Sequence, residues 1–216
     1  KRYGRDDPRS SSYRSVRSFE YEARTIATVI RRYPGQILDV ACGHGLITAP
    51  LVTEHRCVFG VDYNESATHS ASRRGLLAVQ GDAFRTPFRE ASFDIVLGAE
   101  LIHHYDPEQA DKLIAEMSRV TRPGGVLIWI WRDDASLLRR LIRIFFRILD
   151  TARGRPTLKL FDHHIDTVCG WAGSHRLDIV DTLSVSPLLG LTFQNVKSLF
   201  ARLLGTSYLA VTRRRQ

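Results

Sequence analysis

The sequence predicts an α/β fold in which a mostly parallel β-sheet carries helices on both faces. The main observation is the alternation, along most of the 216 residues, of short apolar runs with segments of helical spacing. A second observation is the turn "ACGHG", whose glycines directly follow the first apolar run. A third is the breaker "RPGG", which separates a helical segment from the apolar run "VLIWIW". Together with the chain length, these features predict one domain.

The predicted helices and strands alternate from a first helix at 19–32 to a final strand "SYLAVTRR". The clearest boundary is at Asp106, the expected N-cap of a helix that starts at Pro107 and ends near Arg122. Other helices are expected in "LITAPLVTEH", "ESATHSASRRG", "FDHHIDTVCGWAGSH" and "LTFQNVKSLFARLL". The remaining strands are expected in "QILDV", "CVFGVDYN", "LLAVQGDAF", "SFDIVLGAE", "VLIWIW" and "RLDIVDTLSV".

Composition narrows the class of protein and of partner. A formal net charge of +8 favours an anionic partner such as nucleic acid, an acidic lipid surface or an acidic small molecule. Three cysteines without a CxxC pair argue against a disulfide framework or a zinc site and are compatible with a cytoplasmic protein. The sequence lacks an apolar run of about 18 residues, so a membrane-spanning helix is not expected. We expect residues 1–18 to be a flexible segment without a secretory signal, preceding a domain at 19–216.

The segment "ILDVACGHGLIT" carries the strongest chemical signal. Its strand is predicted to end at Asp39, after which Gly43 and Gly45 allow a tight turn and a close approach of the backbone to a ligand. Asp62 ends the next strand about twenty residues later, where an acid can bind ribose hydroxyls. "GDAF" places a further acid, Asp82, after the third strand. Dinucleotide-binding dehydrogenases share this pattern, but "RPGG" and the single-domain length argue against that class.

Four segments resemble class I S-adenosylmethionine-dependent methyltransferases, particularly the branch of quinone-biosynthesis and natural-product enzymes. They are "LDVACGHG", "VDYN", "GDAFRTPFREASFDIVLGAELIHHY" and "LIAEMSRVTRPGGVLIW", in that order and at family-like spacing. The resemblance runs from about Ile26 to the C-terminus. It implies a Rossmann-like, seven-stranded, mostly parallel sheet with a reversed last strand, and S-adenosyl-L-methionine as cofactor. Helical cap insertions are then expected at 133–157 and at 187–204.

The resemblance also implies which residues bind the cofactor. The first four in the list below would hold its methionine part, and the next two its ribose and adenine. The following three would line the adenine, and the last two would form the lip of the fourth strand facing the sulfonium. In chain order they are Asp39, Ala41, Gly43, Gly45, Asp62, Tyr63, Asp82, Ala83, Phe84, Ala99 and Glu100.

Two pairs of histidines are candidates for a general base. Methyl transfer from a sulfonium to a hydroxyl or an acidic carbon requires alignment and, in addition, a group that accepts a proton. Histidine suits this role because its unperturbed pKa is about 6.5. The candidates are His103 and His104 after the fourth strand, and His163 and His164 at the start of a later helix. Packing or orientation of a loop is the alternative role for either pair. A metal ion is not expected, because the carboxylates do not follow the pattern of metal-dependent catechol-type relatives.

The first insertion contains the helix "LLRRLIRIFFRIL", residues 137–149, which combines a wide apolar arc with an arginine stripe. At about 100° per residue, its arginines fall in one sector of the helical wheel. A lid over a lipophilic substrate and an interfacial helix on an anionic membrane both fit this pattern. The arginines are Arg139, Arg140, Arg143 and Arg147.

These observations predict an enzyme that methylates a lipophilic or aromatic small molecule, with oxygen as the expected acceptor atom. The basic charge favours an RNA or protein methyltransferase as an alternative, and a non-catalytic cofactor-binding module is another. A nucleic-acid partner is not favoured, because the [DN]PP[FY] signature of amino-methylating nucleic-acid enzymes is absent. The expected partners are a lipophilic substrate and an anionic membrane surface, which predicts a cytoplasmic protein with peripheral membrane association. The oligomeric state is not predicted.

Overall fold

The computed structural model describes residues 16–54, 56–132, 141, 144–145, 161, 163–186, 191–193 and 207–216. A short 3-10 helix, Ile102–His104, follows the fourth strand. The α-helices are α1 Val16–Ile30, α2 Ala49–Val52, α3 Glu65–Arg73, α4 Pro107–Val120 and α5 Ile165–Ser174. The strands are β1 Ile37–Val40, β2 Val58–Asp62, β3 Leu77–Gln80, β4 Phe93–Ala99, β5 Thr121–Arg132, β6 Leu177–Ser186, β7 Leu191–Phe193 and β8 Ser207–Arg214.

The described strands form one sheet in the order β3-β2-β1-β4-β5-β8-β6-β7. The first five strands pair in parallel, as connections through helices require. The last strand, β8, lies between β5 and β6 and is antiparallel to both. The predicted α/β class, the mostly parallel sheet and the reversed last strand are therefore confirmed.

The sheet has eight described strands, whereas seven were predicted; the additional strand is the short β7. Residues 191–193 begin the segment "LTFQNVKSLFARLL", which the sequence predicts as helix. Instead they pair antiparallel with Ser184, Val185 and Ser186 of β6. Pairing with a neighbouring strand overrides the local helical spacing, because strand formation depends on tertiary context. The other residues of the predicted 187–204 insertion lie outside the described residues.

The predicted boundary at Asp106 is confirmed, whereas several other boundaries of helices and strands differ from the sequence-based prediction. Asp106 caps α4 as predicted, because its side chain accepts a hydrogen bond of 2.9 Å from the Gln109 backbone N–H. The first helix begins at Val16, inside the segment expected to be flexible, and residues 1–15 lie outside the described residues. The fifth strand begins at Thr121, so "RPGG" lies within it at a shift in strand register. The last described helix begins at Ile165 instead of residue 161.

Helices cover both faces of the sheet, which confirms the predicted three-layer arrangement. One apolar cluster joins α1, α2 and α3 to the sheet through side chains such as Ile26, Leu51 and Ala71. The other joins α4 and α5 to the opposite face through Leu113 and Val168. Residues of β5 contribute alternately to the two clusters, as the two-residue period of a strand requires.

The structure describes three residues of the predicted 133–157 insertion: Leu141, Ile144 and Phe145. All three are helical and exposed. The four arginines of the predicted stripe lie outside the described residues. Within the described part of the chain, no helix has the length and apolar character needed to cross a bilayer.

Candidate active site

The loop after β1 is held in a conformation that favours glycine. Ala41, Gly43 and Gly45 have φ values of 58°, 54° and 73°, in the left-handed region. The loop is closed by hydrogen bonds from the Cys42 N–H to the Val61 carbonyl, 3.1 Å, and from the Gly45 N–H to the Cys42 carbonyl, 2.9 Å. The two predicted glycines thus form the tight turn that the sequence indicates.

The two glycines have different surroundings. A Cβ added at Gly45 would lie 3.1 Å from the Cα and Cβ of Ala71, so this glycine allows the loop to pack closely on α3. A Cβ added at Gly43 would meet no atom of the described residues within 4 Å. Gly43 therefore borders open space, and this is where the backbone can approach a ligand.

Asp62 fixes the loop from the end of β2. Its two carboxylate oxygens accept hydrogen bonds of 2.8 Å, one from the Gly43 N–H and one from the Asn64 N–H. Each oxygen keeps a second lone pair for another donor. The carboxylate therefore has acceptor capacity left for the ribose hydroxyls that the resemblance implies, and Tyr63 beside it is 82% exposed.

Asp39 is a buried acid at the same edge of the sheet. Its carboxylate accepts a hydrogen bond of 2.7 Å from the Thr48 hydroxyl. Burial raises the pKa of Asp39 to about 7, and the negative charge of Asp62 adds to this rise, whereas the Thr48 hydrogen bond opposes it. A cationic ligand group would favour the ionised carboxylate, so this site suits the amino and sulfonium charges of the predicted cofactor.

The segment after β3 forms an aromatic wall near these acids. Asp82 is exposed, and its carboxylate accepts a hydrogen bond of 2.9 Å from the Phe84 N–H, which turns the chain through Ala83. The Phe84 ring packs edge-to-face on Tyr105 at 4.8 Å between centroids. Burial raises the pKa of the Tyr105 hydroxyl, and the charges of Asp82 and Asp62 raise it further.

The end of β4 carries a buried acid and a buried histidine. Glu100, directly after Ala99, has a φ of 53° and is 6% exposed, and its N–H bonds the Ile130 carbonyl at 2.8 Å. His103 is 1% exposed, and its Nε2 lies 3.9 Å from Oε2 of Glu100. His104 is exposed, with its ring centroid 4.4 Å from that of His103. His103 is therefore the member of this pair that lies beside a carboxylate.

The second histidine pair has structural contacts. His163 is 3% exposed, and its Nε2 lies 3.1 Å from the Ile102 carbonyl oxygen and 2.9 Å from that of Tyr105. His164 is exposed and is the N-cap of α5, where its Nδ1 accepts a hydrogen bond from the Asp166 N–H. These contacts favour the orienting role for the pair.

The predicted cofactor residues follow the ends of β1, β2, β3 and β4, so the parallel sheet gathers them at its carboxyl edge. Sequence reasoning did not identify three residues that organise this edge: Thr48, Asn64 and Tyr105. Thr48 and Tyr105 act through contacts that no local motif encodes, whereas Asn64 could have been recognised as the N-cap that begins α3. Among the described residues, no group of three or more His, Cys, Asp or Glu side chains is arranged to hold a metal ion.

Substitution of the two glycines by alanine should separate stability from cofactor affinity. Both changes place a side chain at positive φ, which costs about 1–2 kcal/mol in the free energy of unfolding. Gly45→Ala should cost more, because its Cβ meets the Ala71 backbone. Gly43→Ala should instead weaken S-adenosylhomocysteine binding more strongly, because its Cβ enters the open space. Thermal denaturation and calorimetric titration of both variants check this, and the opposite ranking in affinity would contradict the assignment of Gly43.

Cofactor affinity should depend on pH through Asp39. The ionised carboxylate favours a cationic ligand, and the pKa of about 7 means that it gains a proton as the pH falls below neutrality. S-adenosylmethionine should therefore bind about tenfold more weakly at pH 6 than at pH 8. Asp39→Asn should bind weakly with a flat pH profile, and Thr48→Val should move the midpoint to higher pH because it removes the hydrogen bond. Titrations across this range check the prediction, and a flat wild-type profile would refute it.

Comparison with known proteins identifies the family of the chain. Residues 38–129 match the family described as a methyltransferase domain. A putative methyltransferase of Encephalitozoon cuniculi is 30% identical over 156 residues, which cover 64% of this chain and 72% of that protein. The phthiotriol/phenolphthiotriol dimycocerosates methyltransferase of Mycobacterium tuberculosis is 40% identical over 170 residues, or 68% of this chain.

The chain spans 62% of the length of that mycobacterial relative. A fatty-acid O-methyltransferase of Mycolicibacterium smegmatis is 37% identical over 100 residues. The matched residues are 44% of this chain and 36% of that protein. Among solved structures, the magnesium protoporphyrin IX methyltransferase of Synechocystis, with bound S-adenosylhomocysteine, has the same fold. The TM-score is 0.69 and the sequence identity 14%, and the match covers 94% of this chain and 90% of that one. The chain belongs to the class I S-adenosylmethionine-dependent methyltransferases, with S-adenosylmethionine as its cofactor.

Proposed function

We propose that this enzyme transfers the methyl group to an oxygen atom of a lipophilic or aromatic small molecule. The observation that carries the proposal is the buried pair Glu100–His103 at the end of β4, with 3.9 Å between its nearest nitrogen and oxygen atoms. A hydroxyl acceptor needs a group that removes its proton, and an imidazole beside a carboxylate is a common arrangement for that task. His103 is the proposed base, and the charge of the nearby Glu100 carboxylate would stabilise the imidazolium.

The chemistry requires little from the protein beyond alignment and proton transfer. When bound, S-adenosylmethionine supplies an electrophilic methyl group on its sulfonium. His103 accepts the hydroxyl proton while the acceptor oxygen forms the new C–O bond and the C–S bond breaks, which leaves S-adenosylhomocysteine. Exclusion of water by the buried surroundings of Glu100 and His103 favours this transfer over side reactions.

The proposed acceptor class rests on the apolar surroundings and on the relatives. Leu101 and Ile102, in the turn after β4, are buried in the apolar cluster against which the aromatic pair Phe84 and Tyr105 packs. The relatives named above are a phthiotriol/phenolphthiotriol dimycocerosates methyltransferase and a fatty-acid O-methyltransferase, both named for lipid-type substrates. These features support a lipophilic acceptor over RNA or protein, for which the net charge of +8 is the main argument.

An acceptor panel tests the proposal. Enzyme and S-adenosylmethionine with a labelled methyl group would be incubated separately with long-chain fatty acids, long-chain alcohols, alkyl phenols and total tRNA. We expect labelled methyl ethers or esters in the lipid fractions, identified by mass spectrometry. Label in tRNA or in protein alone would contradict a lipophilic acceptor, and cofactor binding without any turnover would favour the non-catalytic module.

The variant His103→Gln supplies the control for the base. With alcohols and phenols, its kcat should fall about a hundredfold, because a positioned base contributes roughly 10²–10⁴ in rate. With fatty acids the loss should be small, because a carboxylate is already ionised at neutral pH and needs no base. His104→Gln is the matched exposed control and should retain activity. Equal losses for alcohols and fatty acids would exclude His103 as the base.

We also propose that the inserted helix contacts an anionic membrane surface from which a lipophilic acceptor is taken. Leu141, Ile144 and Phe145 are 58%, 56% and 59% exposed, and their spacing places them on one helical face. An exposed apolar face in a segment whose sequence is rich in arginine is typical of an interfacial helix.

Vesicle binding tests this second proposal. The wild-type protein should cosediment with vesicles that contain phosphatidylglycerol, and a triple substitution of Leu141, Ile144 and Phe145 by serine should reduce partitioning at least about tenfold, because it removes apolar surface. A double substitution of Leu77 and Val79 by serine is the matched control, since both are exposed apolar residues on the edge strand β3. Equal binding by the triple variant and the wild type would remove the helix from the membrane contact.

A further inference from the structure

His163 is hydrogen-bonded to the turn that carries the proposed base. The backbone oxygens of Ile102 and Tyr105 lie 3.1 Å and 2.9 Å from its Nε2. Carbonyl oxygens only accept hydrogen bonds, so Nε2 carries the hydrogen and donates it to both. The ring is 3% exposed and packs edge-to-face on Trp171 of α5, at 5.1 Å between centroids. The Nε2–H donor is therefore buried, it points at the two carbonyl oxygens, and the ring that carries it is held in place by Trp171.

The backbone around His163 makes further contacts with the same region. Its carbonyl accepts a hydrogen bond of 2.9 Å from the indole N–H of Trp131, which is fully buried in β5. The Phe161 N–H donates to the His103 carbonyl at 2.8 Å. Residues 161 and 163 thus hold the turn through His103 as well as through its two flanking carbonyls. Hydrogen bonds thus join the segment before α5 to the turn that follows β4.

The turn has little hydrogen bonding of its own. It is a single short 3-10 helix, closed by hydrogen bonds of 3.1 Å from the His104 N–H to the Leu101 carbonyl and 3.2 Å from the Tyr105 N–H to the Ile102 carbonyl. Such turns have poorer hydrogen-bond geometry than α-helices. The position of the turn therefore depends on partners outside it. The His163 ring is such a partner, and it is hydrogen-bonded to both ends of the turn, at Ile102 and at Tyr105.

We propose that His163 is a positioning residue: its ring N–H fixes the 102–105 turn and thereby sets the His103 imidazole against Glu100. This inference rests on the proposed function where it concerns the base, and it stands alone where it concerns the order of the turn. Because Nε2 is occupied as a donor, a role for His163 as the base would have to use Nδ1, and the pH–rate profile of His163→Gln tests this alternative. The two histidine pairs in the sequence thus have different tasks, with His103 facing the reaction and His163 supporting it.

Two amide substitutions that differ by one methylene test the proposal. The amide nitrogen of His163→Gln can reach the place of Nε2, whereas that of His163→Asn falls short of it. Hydrogen exchange at the His104 and Tyr105 amides should accelerate about tenfold in His163→Asn and remain near the wild-type rate in His163→Gln, because loss of a buried partner favours local opening. His164→Gln, at the exposed helix cap, is the matched control and should not change the exchange.

Kinetics separate positioning from base catalysis. His163→Asn should lower kcat between about tenfold and a hundredfold, because small displacements of a catalytic group cost this much. Its affinity for S-adenosylhomocysteine should stay within about twofold of the wild type, since Asp39 and Asp62 are not contacted by His163. His163→Gln should restore kcat with the wild-type pH–rate profile.

Three results would overturn the inference. Unchanged exchange and kcat in His163→Asn would show that the turn does not depend on the ring. Loss of the acidic limb of the pH–rate profile in His163→Gln, where the rate rises with pH as a base loses its proton, would make His163 the base. Lack of rescue by Gln in both readouts would point to a packing role of the ring. If the wild type methylates no lipophilic acceptor, the proposed function fails in the acceptor panel, while the exchange experiment still decides whether His163 orders the turn.

Discussion

The carboxylate of Asp62 is the constraint on which the rest of the site depends. The parallel register of β1 and β2, with Val40 opposite Val61, brings the ends of the two strands side by side. Asp62 then bonds the backbone N–H of Gly43 in the neighbouring loop. This contact holds a loop of left-handed residues that would otherwise be costly to order. Without it, the open space beside Gly43, where the cofactor is predicted to bind, would have no fixed wall.

Asp39 links the stability of the fold to the protonation state of this edge of the sheet. Its pKa is about 7 in the folded protein against an ordinary value of 3.8, so the folded state holds the proton more tightly than the unfolded chain. The free energy of unfolding therefore falls as the pH rises between these two values. A cationic ligand that binds the ionised carboxylate offsets this loss, so binding and folding are thermodynamically linked at neutral pH.

The sequence was sufficient for the features that local patterns encode. The glycine turn, Asp62 at the end of β2 and the Asp106 cap all depend on residues close together in the chain, and the structure has each of them where predicted. The eighth strand was missed because its pairing with β6 is tertiary. Tyr105 and the role of His163 were missed for a related reason: their partners lie on other elements, at separations that no spacing rule covers.

The same division separates the predicted cofactor site from the proposed acceptor site. The predicted cofactor residues lie at strand ends and in the loops that follow them, within the 38–129 segment that matches the methyltransferase domain family. The proposed base lies in the turn after β4, which is hydrogen-bonded to residues 161 and 163, beyond that segment and after the first predicted insertion. We expect substitutions there to reposition His103 without disturbing Asp62 or Gly43, because they contact neither residue. A fold arranged in this way can keep one methyl donor while the acceptor changes, because the two sets of contacts share few residues.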